Sequence, residues 1–111
     1  MLTVYGIKQC DTCRKALKWL SEQGMEHRFH DFRVDGLQPE LLQEWLESAL
    51  ADKLVNRRST TWRQLTEAQR RSDGEDLLNL LLEHPTLIKR PVFVTDRVAV
   101  VGFDRGELAE L

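Results

Sequence analysis

The stretch VYGIKQCDTCRKAL, Val4 to Leu17, carries both cysteines of the chain, and its hydrophobic period changes half-way along. Leu2 to Tyr5 is a short apolar run ended by Gly6, which reads as a buried first strand. From Asp11 onward, Cys13, Ala16, Leu17 and Leu20 recur at i, i+3, i+4 and i+7, the spacing of one helix face. A helix is therefore expected from about residue 11 to 23, closed by Gly24. Met25 to Phe32, MEHRFHDF, follows as a second strand. A crossover of that length allows the two strands to run parallel.

Beyond this unit the pattern changes. Leu41, Leu42, Trp45, Leu46 and Ala49 form an amphipathic helix after Pro39, a good early-helix residue. Trp62 and Leu65 suggest a short second helix, with Trp62 in the core, and Gly74 to His84 a third that stops before Pro85. PVFVT and RVAVV then read as two strands around a turn near Asp96, an antiparallel hairpin, and a last helix runs from about Asp104 to Leu111. The order is β-α-β, a helical insertion at about 38–84, then β-β-α. It predicts an α/β fold, a mixed sheet with helices packed against it.

With 111 residues and no Pro/Gly/Ser-rich linker, the chain suits one domain. Hydrophobic residues at 41% and charged residues at 31% are ordinary for a soluble globular protein. A net charge of -2 supplies no global attraction to nucleic acid or an anionic membrane. MLTVYG lacks a basic leader and a cleavage site, and no run approaches the roughly 18 apolar residues of a membrane span. A cytoplasmic protein is expected, and there a close cysteine pair points to metal, catalysis or redox chemistry rather than a permanent staple.

Cys10, Cys13, His27 and His30 superficially match a zinc site, but His-x2-His is too short a spacing. On a strand the two histidines would also face opposite sides, so no metal site is expected. A structural bridge across so few residues closes only a tiny loop and stabilises little. A redox role is favoured. Cys10 falls where loop meets helix, so free backbone N-H groups and the helix dipole stabilise a thiolate there. Cys13 begins the buried stripe one turn later. Lys8, Arg14 and Lys15 add positive charge nearby.

Four blocks, VYGIKQCDTCRKAL, NRRSTTWRQL, LIKRPVFVT and VVGFD, occur in an order and spacing that resemble the arsenate reductase/Spx (ArsC-like) family of the thioredoxin superfamily, above all its YffB-type members. The resemblance implies a thioredoxin-like core with a helical insertion. It implies that Cys10 is the reactive cysteine, that the Arg90-Pro91 bond is cis and faces the thiol, and that Arg90 and Arg58 bind an anion.

A glutathione-dependent thiol-disulfide oxidoreductase is therefore expected, with Cys10 as nucleophile and Cys13 or glutathione resolving the mixed disulfide. Lys8, Arg14, Arg58, Arg90 and Pro91 would receive the substrate, glutathione serving as co-substrate and glutaredoxin as a further possible partner, with no bound cofactor. Two alternatives stay open: arsenate reduction with glutathione or glutaredoxin, and an Spx-like redox switch that binds RNA polymerase. The chain departs from the arsenate reductases in three places. Asn56 stands where the first of their three arginines is expected, Gly102 and Phe103 stand near another, with Arg105 beyond that site, and Cys13 replaces a serine.

Overall fold

The computed structural model describes residues 2–48, 50–96, 98–103 and 105–108; the side chains of Arg105 and Glu107 are outside the description. In chain order the elements are β1 (Leu2–Gly6), α1 (Asp11–Glu22), β2 (His27–Asp31), α2 (Pro39–Glu47), α3 (Ala51–Leu54), α4 (Thr60–Gln64), α5 (Glu67–Arg70), α6 (Gly74–Glu83), a 3-10 turn (Pro85–Leu87), β3 (Val92–Val94), β4 (Ala99–Val101) and α7 (Arg105–Leu108). They fall into two compact units, residues 1–36 with 90–111, and residues 37–89.

The first unit is a four-stranded mixed sheet in the order β2-β1-β3-β4. β1 runs parallel to β2 and antiparallel to β3, which pairs antiparallel with β4. This is the mixed α/β sheet expected from the residue order, in the thioredoxin-like arrangement that the family resemblance implies. In β1, Leu2, Val4 and Gly6 are buried and Thr3 and Tyr5 are not, the alternation that a pleated strand imposes. α1 buries Cys13, Ala16 and Leu20. Leu2, Val4, Ala16, Leu20, Phe93, Val100 and Leu108 join in one core, with Leu17, Trp19, Met25, Phe29 and Phe103 packed against it.

Gly24 ends α1 because the chain must turn left-handed there, at φ +68. The Gly24 N-H donates to Ser21 O at 3.1 Å and the Met25 N-H to Leu20 O at 3.0 Å, which satisfies two carbonyls left open at the helix end. The hairpin turn is held by Thr95, whose N-H donates to Val98 O at 2.9 Å and whose Oγ1 accepts from Val98 N-H at 3.1 Å.

The second unit is helical, and it holds more elements than the three expected. α3 and α5 are single turns, too short for periodicity to register. Leu42, Trp45, Leu54, Leu80, Leu81, Leu87 and Ile88 are its buried residues, with Leu65 beside them. Val55 and Ile88 form a β-bridge, flanked by bonds from Asn56 N-H to Leu87 O and Lys89 N-H to Leu54 O, both 2.7 Å. Trp62 is half-buried rather than core, with the Arg57 guanidinium 5.7 Å from its ring centre. Ala49, Asp104 and the end of the last helix, residues 109–111, lie outside the described residues. No helix among the described residues is long and apolar enough to cross a membrane.

Candidate active site

The strand β1 ends at Gly6, and Ile7 to Cys10 form a tight turn closed by the Cys10 N-H donating to Ile7 O at 3.0 Å. Cys10 is thereby the N-cap of α1, in extended conformation, and its carbonyl accepts the first helical bond from Arg14 N-H at 3.0 Å. A thiol at this place meets backbone N-H groups that have no partner inside the helix. The Cys10 sulfur does not complete a formal capping bond.

Partial burial alone would raise the Cys10 thiol above its usual pKa. The Cys13 backbone N-H, the Cys13 thiol and the hydrogen bond and charge of Arg90 outweigh it, and Cys10 is held below that value. Arg90 approaches from the start of β3. It is half-buried, its bond to Pro91 is cis, and Pro91 is fully buried. The Pro91 carbonyl accepts from Gly102 N-H at 2.8 Å, which ties this corner to the end of β4.

Cys13 is the opposite case. It is completely buried, and burial pushes its thiol up to about 12; the Ile7 backbone offsets this in part, while the negative charge of Cys10 adds to it. The pair is consequently unequal: Cys10 is the thiol that gives up its proton more readily and Cys13 the one that holds it. No disulfide joins them in the structure. The Cys13 sulfur also sits so close to β1 that a Cβ on Gly6 would lie 2.5 Å from it. Gly6 is needed for this approach; its φ is not in the left-handed region.

The remaining site residues expected from sequence are placed differently from one another. The Lys8 side chain is exposed. Arg14 turns back on the loop, donating from Nε to Lys8 O at 3.2 Å and from Nη2 to Gln9 O at 3.1 Å, with Asp11 Oδ1 at 3.8 Å. It braces the turn that carries Cys10. Arg58 belongs to the helical unit, where it lines a basic cavity of about 430 Å³ with Lys53, Arg57 and Lys89. Its N-H donates to Asn56 Oδ1 at 3.1 Å. His27 Nδ1 donates to Met25 O at 2.9 Å and His30 Nε2 to Gly36 O at 2.6 Å. No group of three or more His, Cys, Asp or Glu able to hold a metal occurs among the described residues.

Sequence reasoning passed over one residue here. Asp31, at the end of β2, is buried and accepts hydrogen bonds from the backbone N-H of Lys8 at 3.0 Å and of Arg33 at 2.8 Å. The bond to Arg33 is an Asx turn, a pattern an Asp before a loop can announce. The bond to Lys8 spans 23 residues and has no local signal.

The ArsC family profile matches residues 5–111. The chain belongs to the ArsC family. An uncharacterized protein of Haemophilus influenzae is 51% identical over 108 residues, covering 96% of this chain and 95% of its own. The regulatory protein MgsR of Bacillus subtilis is 32% identical over 112 residues, 99% of this chain and 89% of its own. Among solved structures, a YFFB protein superposes with a TM-score of 0.90 at 37% identity, covering 99% of this chain and 97% of its own.

Proposed function

We propose that this ArsC-family chain is a thiol-disulfide oxidoreductase that works with glutathione in the cytoplasm. The observation that carries the reading is the unequal pair at the start of α1, a Cys10 thiol held low beside a Cys13 thiol held high, with Arg90 at the former. The Cys10 thiolate attacks one sulfur of a disulfide, forms a mixed disulfide and expels the other sulfur as thiolate. A second thiolate then attacks the Cys10 sulfur or its partner, takes over the disulfide and releases a thiol, so two electrons pass from the attacking thiols to the substrate. The reaction needs no resident metal or prosthetic group, because every electron pair moves between sulfurs.

Burial and the retained proton make Cys13 a poor attacking group, which supports glutathione as the resolving thiol. Glutathione carries two carboxylates, and Arg90 is suited to one as a charge-assisted donor. Exposed Lys8 is proposed as a further contact on its chemistry, whereas Arg14 spends two of its donors on the turn.

The test is turnover of a glutathione mixed disulfide by the native chain, Cys10→Ser and Cys13→Ser, with mass spectrometry of the trapped protein. Loss of turnover in Cys10→Ser, with retention in Cys13→Ser and a glutathione adduct on Cys10, is expected. Equal turnover in native protein and Cys10→Ser would end the proposal. The likeness to MgsR, a regulatory protein, supports a second reading, a regulator; the Spx-like resemblance makes it a redox switch that binds RNA polymerase. That reading requires binding to polymerase that changes with the oxidation state of Cys10 and Cys13, and it does not require turnover.

A further inference from the structure

Among the described residues Asp31 is the one charged side chain that is buried. Taking a carboxylate out of water is costly unless it is well hydrogen-bonded, so its partners indicate what it maintains. Oδ1 accepts from Arg33 N-H and organises the turn after β2. Oδ2 accepts from Lys8 N-H at 3.0 Å, on the turn that leads to Cys10. The same strand end is registered against β1 by pairing of Asp31 with Gly6 and by the Phe32 N-H donating to Gly6 O at 2.9 Å.

The Ile7–Cys10 turn is thus gripped on both of its polar sides. Arg14 takes the Lys8 and Gln9 carbonyls, and Asp31 takes the Lys8 N-H. Only the position of Cys10 at the start of α1 lets the Cys13 N-H and Arg90 act on its sulfur.

We infer that Asp31 is a positioning residue for the Cys10 thiolate, acting through its bond to the Lys8 N-H. The inference rests on the reading of Cys10 as the reactive thiolate. It makes a sign prediction that separates positioning from simple electrostatics. Neutralising a nearby negative charge favours a thiolate and would lower the Cys10 pKa. Releasing the turn weakens the N-H and Arg90 contacts and raises it.

Asp31→Asn is isosteric and keeps one acceptor oxygen for the Arg33 N-H, but turns an amide N-H₂ toward the Lys8 N-H. Asp35→Ala is the control: Asp35 Oδ2 accepts from Asp31 N-H at 3.0 Å in the same turn without touching Lys8. The measurement is the rate of Cys10 alkylation by iodoacetamide against pH, in Cys13→Ser background, with thermal unfolding recorded for each variant. Asp31→Asn is expected to move the midpoint upward by about one pH unit, roughly a tenfold slower reaction at neutral pH. Asp35→Ala should leave the midpoint in place. A midpoint that falls or stays in Asp31→Asn overturns the inference even where stability drops, as does an equal rise in Asp35→Ala. An ordinary cysteine midpoint in the parent protein removes the reading of Cys10 and this inference with it.

Discussion

Replacing Gly6 by alanine isolates the contact between β1 and the buried thiol. A Cβ at this position would meet Cys13 Sγ at 2.5 Å, about an ångström inside ordinary van der Waals contact, while its next neighbours, Cys13 Cβ and Phe29 Cε1, stand at a comfortable 3.6 Å. The sulfur has no solvent to move into, because Cys13 is completely buried. Overpacking of this kind costs about 1 to 3 kcal/mol. At roughly 4 °C per kcal/mol for a domain of this size, the melting temperature should fall by about 4 to 12 °C. In a Cys13→Ala background the sign reverses. The clashing atom is gone, the new methyl group occupies part of its space, and alanine restricts the unfolded chain, which stabilises by about 0.4 to 1 kcal/mol. The assay is urea unfolding of all four proteins under reducing conditions, and the coupling between the two sites should be about 1.4 to 4 kcal/mol. Equal effects of Gly6→Ala in both backgrounds would refute the close approach of Cys13 to the strand.

Arg90→Met keeps the apolar stem and removes the charge; the alkylation midpoint of Cys10 should rise, and KM for an anionic disulfide should increase by about ten- to a hundredfold, as expected for a charge-assisted bond of roughly 1.5 to 3 kcal/mol. Acid stability carries a further expectation. Burial works to raise the Asp31 carboxyl, but the backbone N-H groups of Arg33, Lys8 and Val34 and the Arg33 charge hold it below its usual value. The unfolded chain then binds more protons in acid, so this part of the stability is present above the ordinary aspartate pKa and is lost as pH falls through the folded value; Asp31→Asn should flatten the acid limb of the stability-pH curve, and an unchanged limb counts against the bonds. Arsenate should be turned over far less efficiently than a glutathione mixed disulfide. Asn56 is half-buried and has its N-H on Leu87 O, and Phe103 packs edge-on against Trp19 at 6.0 Å, at two places where an arsenate reductase would offer arginine. Comparable efficiencies in a side-by-side assay would mean that Arg57, Arg58 or Arg105 makes up the missing charge.

Periodicity was a sufficient guide wherever an element is long and one-sided. Cys13, Ala16 and Leu20 trace α1, and Gly24 marks its end, because a twelve-residue helix repeats its buried face several times. The hairpin was legible for the same reason, through the valines on either side of Thr95 to Val98. The four-residue helix Ala51–Leu54 never completes a second turn, so no pattern can accumulate. Glu67–Arg70 is equally short, yet its start was written plainly: Thr66 and Gln69 exchange side-chain to backbone bonds as a capping box, a Thr-x-x-Gln signature. At the site, the position of Cys10 followed from local rules of helix starts. The roles of Asp31 and Arg14 did not, since hydrogen-bond partners 23 and 6 residues away are chosen by the fold rather than by neighbours in sequence. Hydrophobic spacing also misjudged Trp62, whose ring is shared between packing and the Arg57 cation.

The bracing of the reactive turn by Arg14 has a consequence for the timing of reactivity. The groups that favour the thiolate belong to α1 itself, to Arg90 at the far end of the sequence, and to a turn that α1 holds in shape. A chain still leaving the ribosome has the local turn but not Arg90, so that part of the thiolate's stabilisation is missing. On the reading of Cys10 as the reactive thiolate, its full reactivity therefore arrives only when the last strands have joined the sheet. On that reading a nascent chain is spared premature disulfide exchange, and oxidation of the finished protein is directed to Cys10 rather than shared between the two thiols.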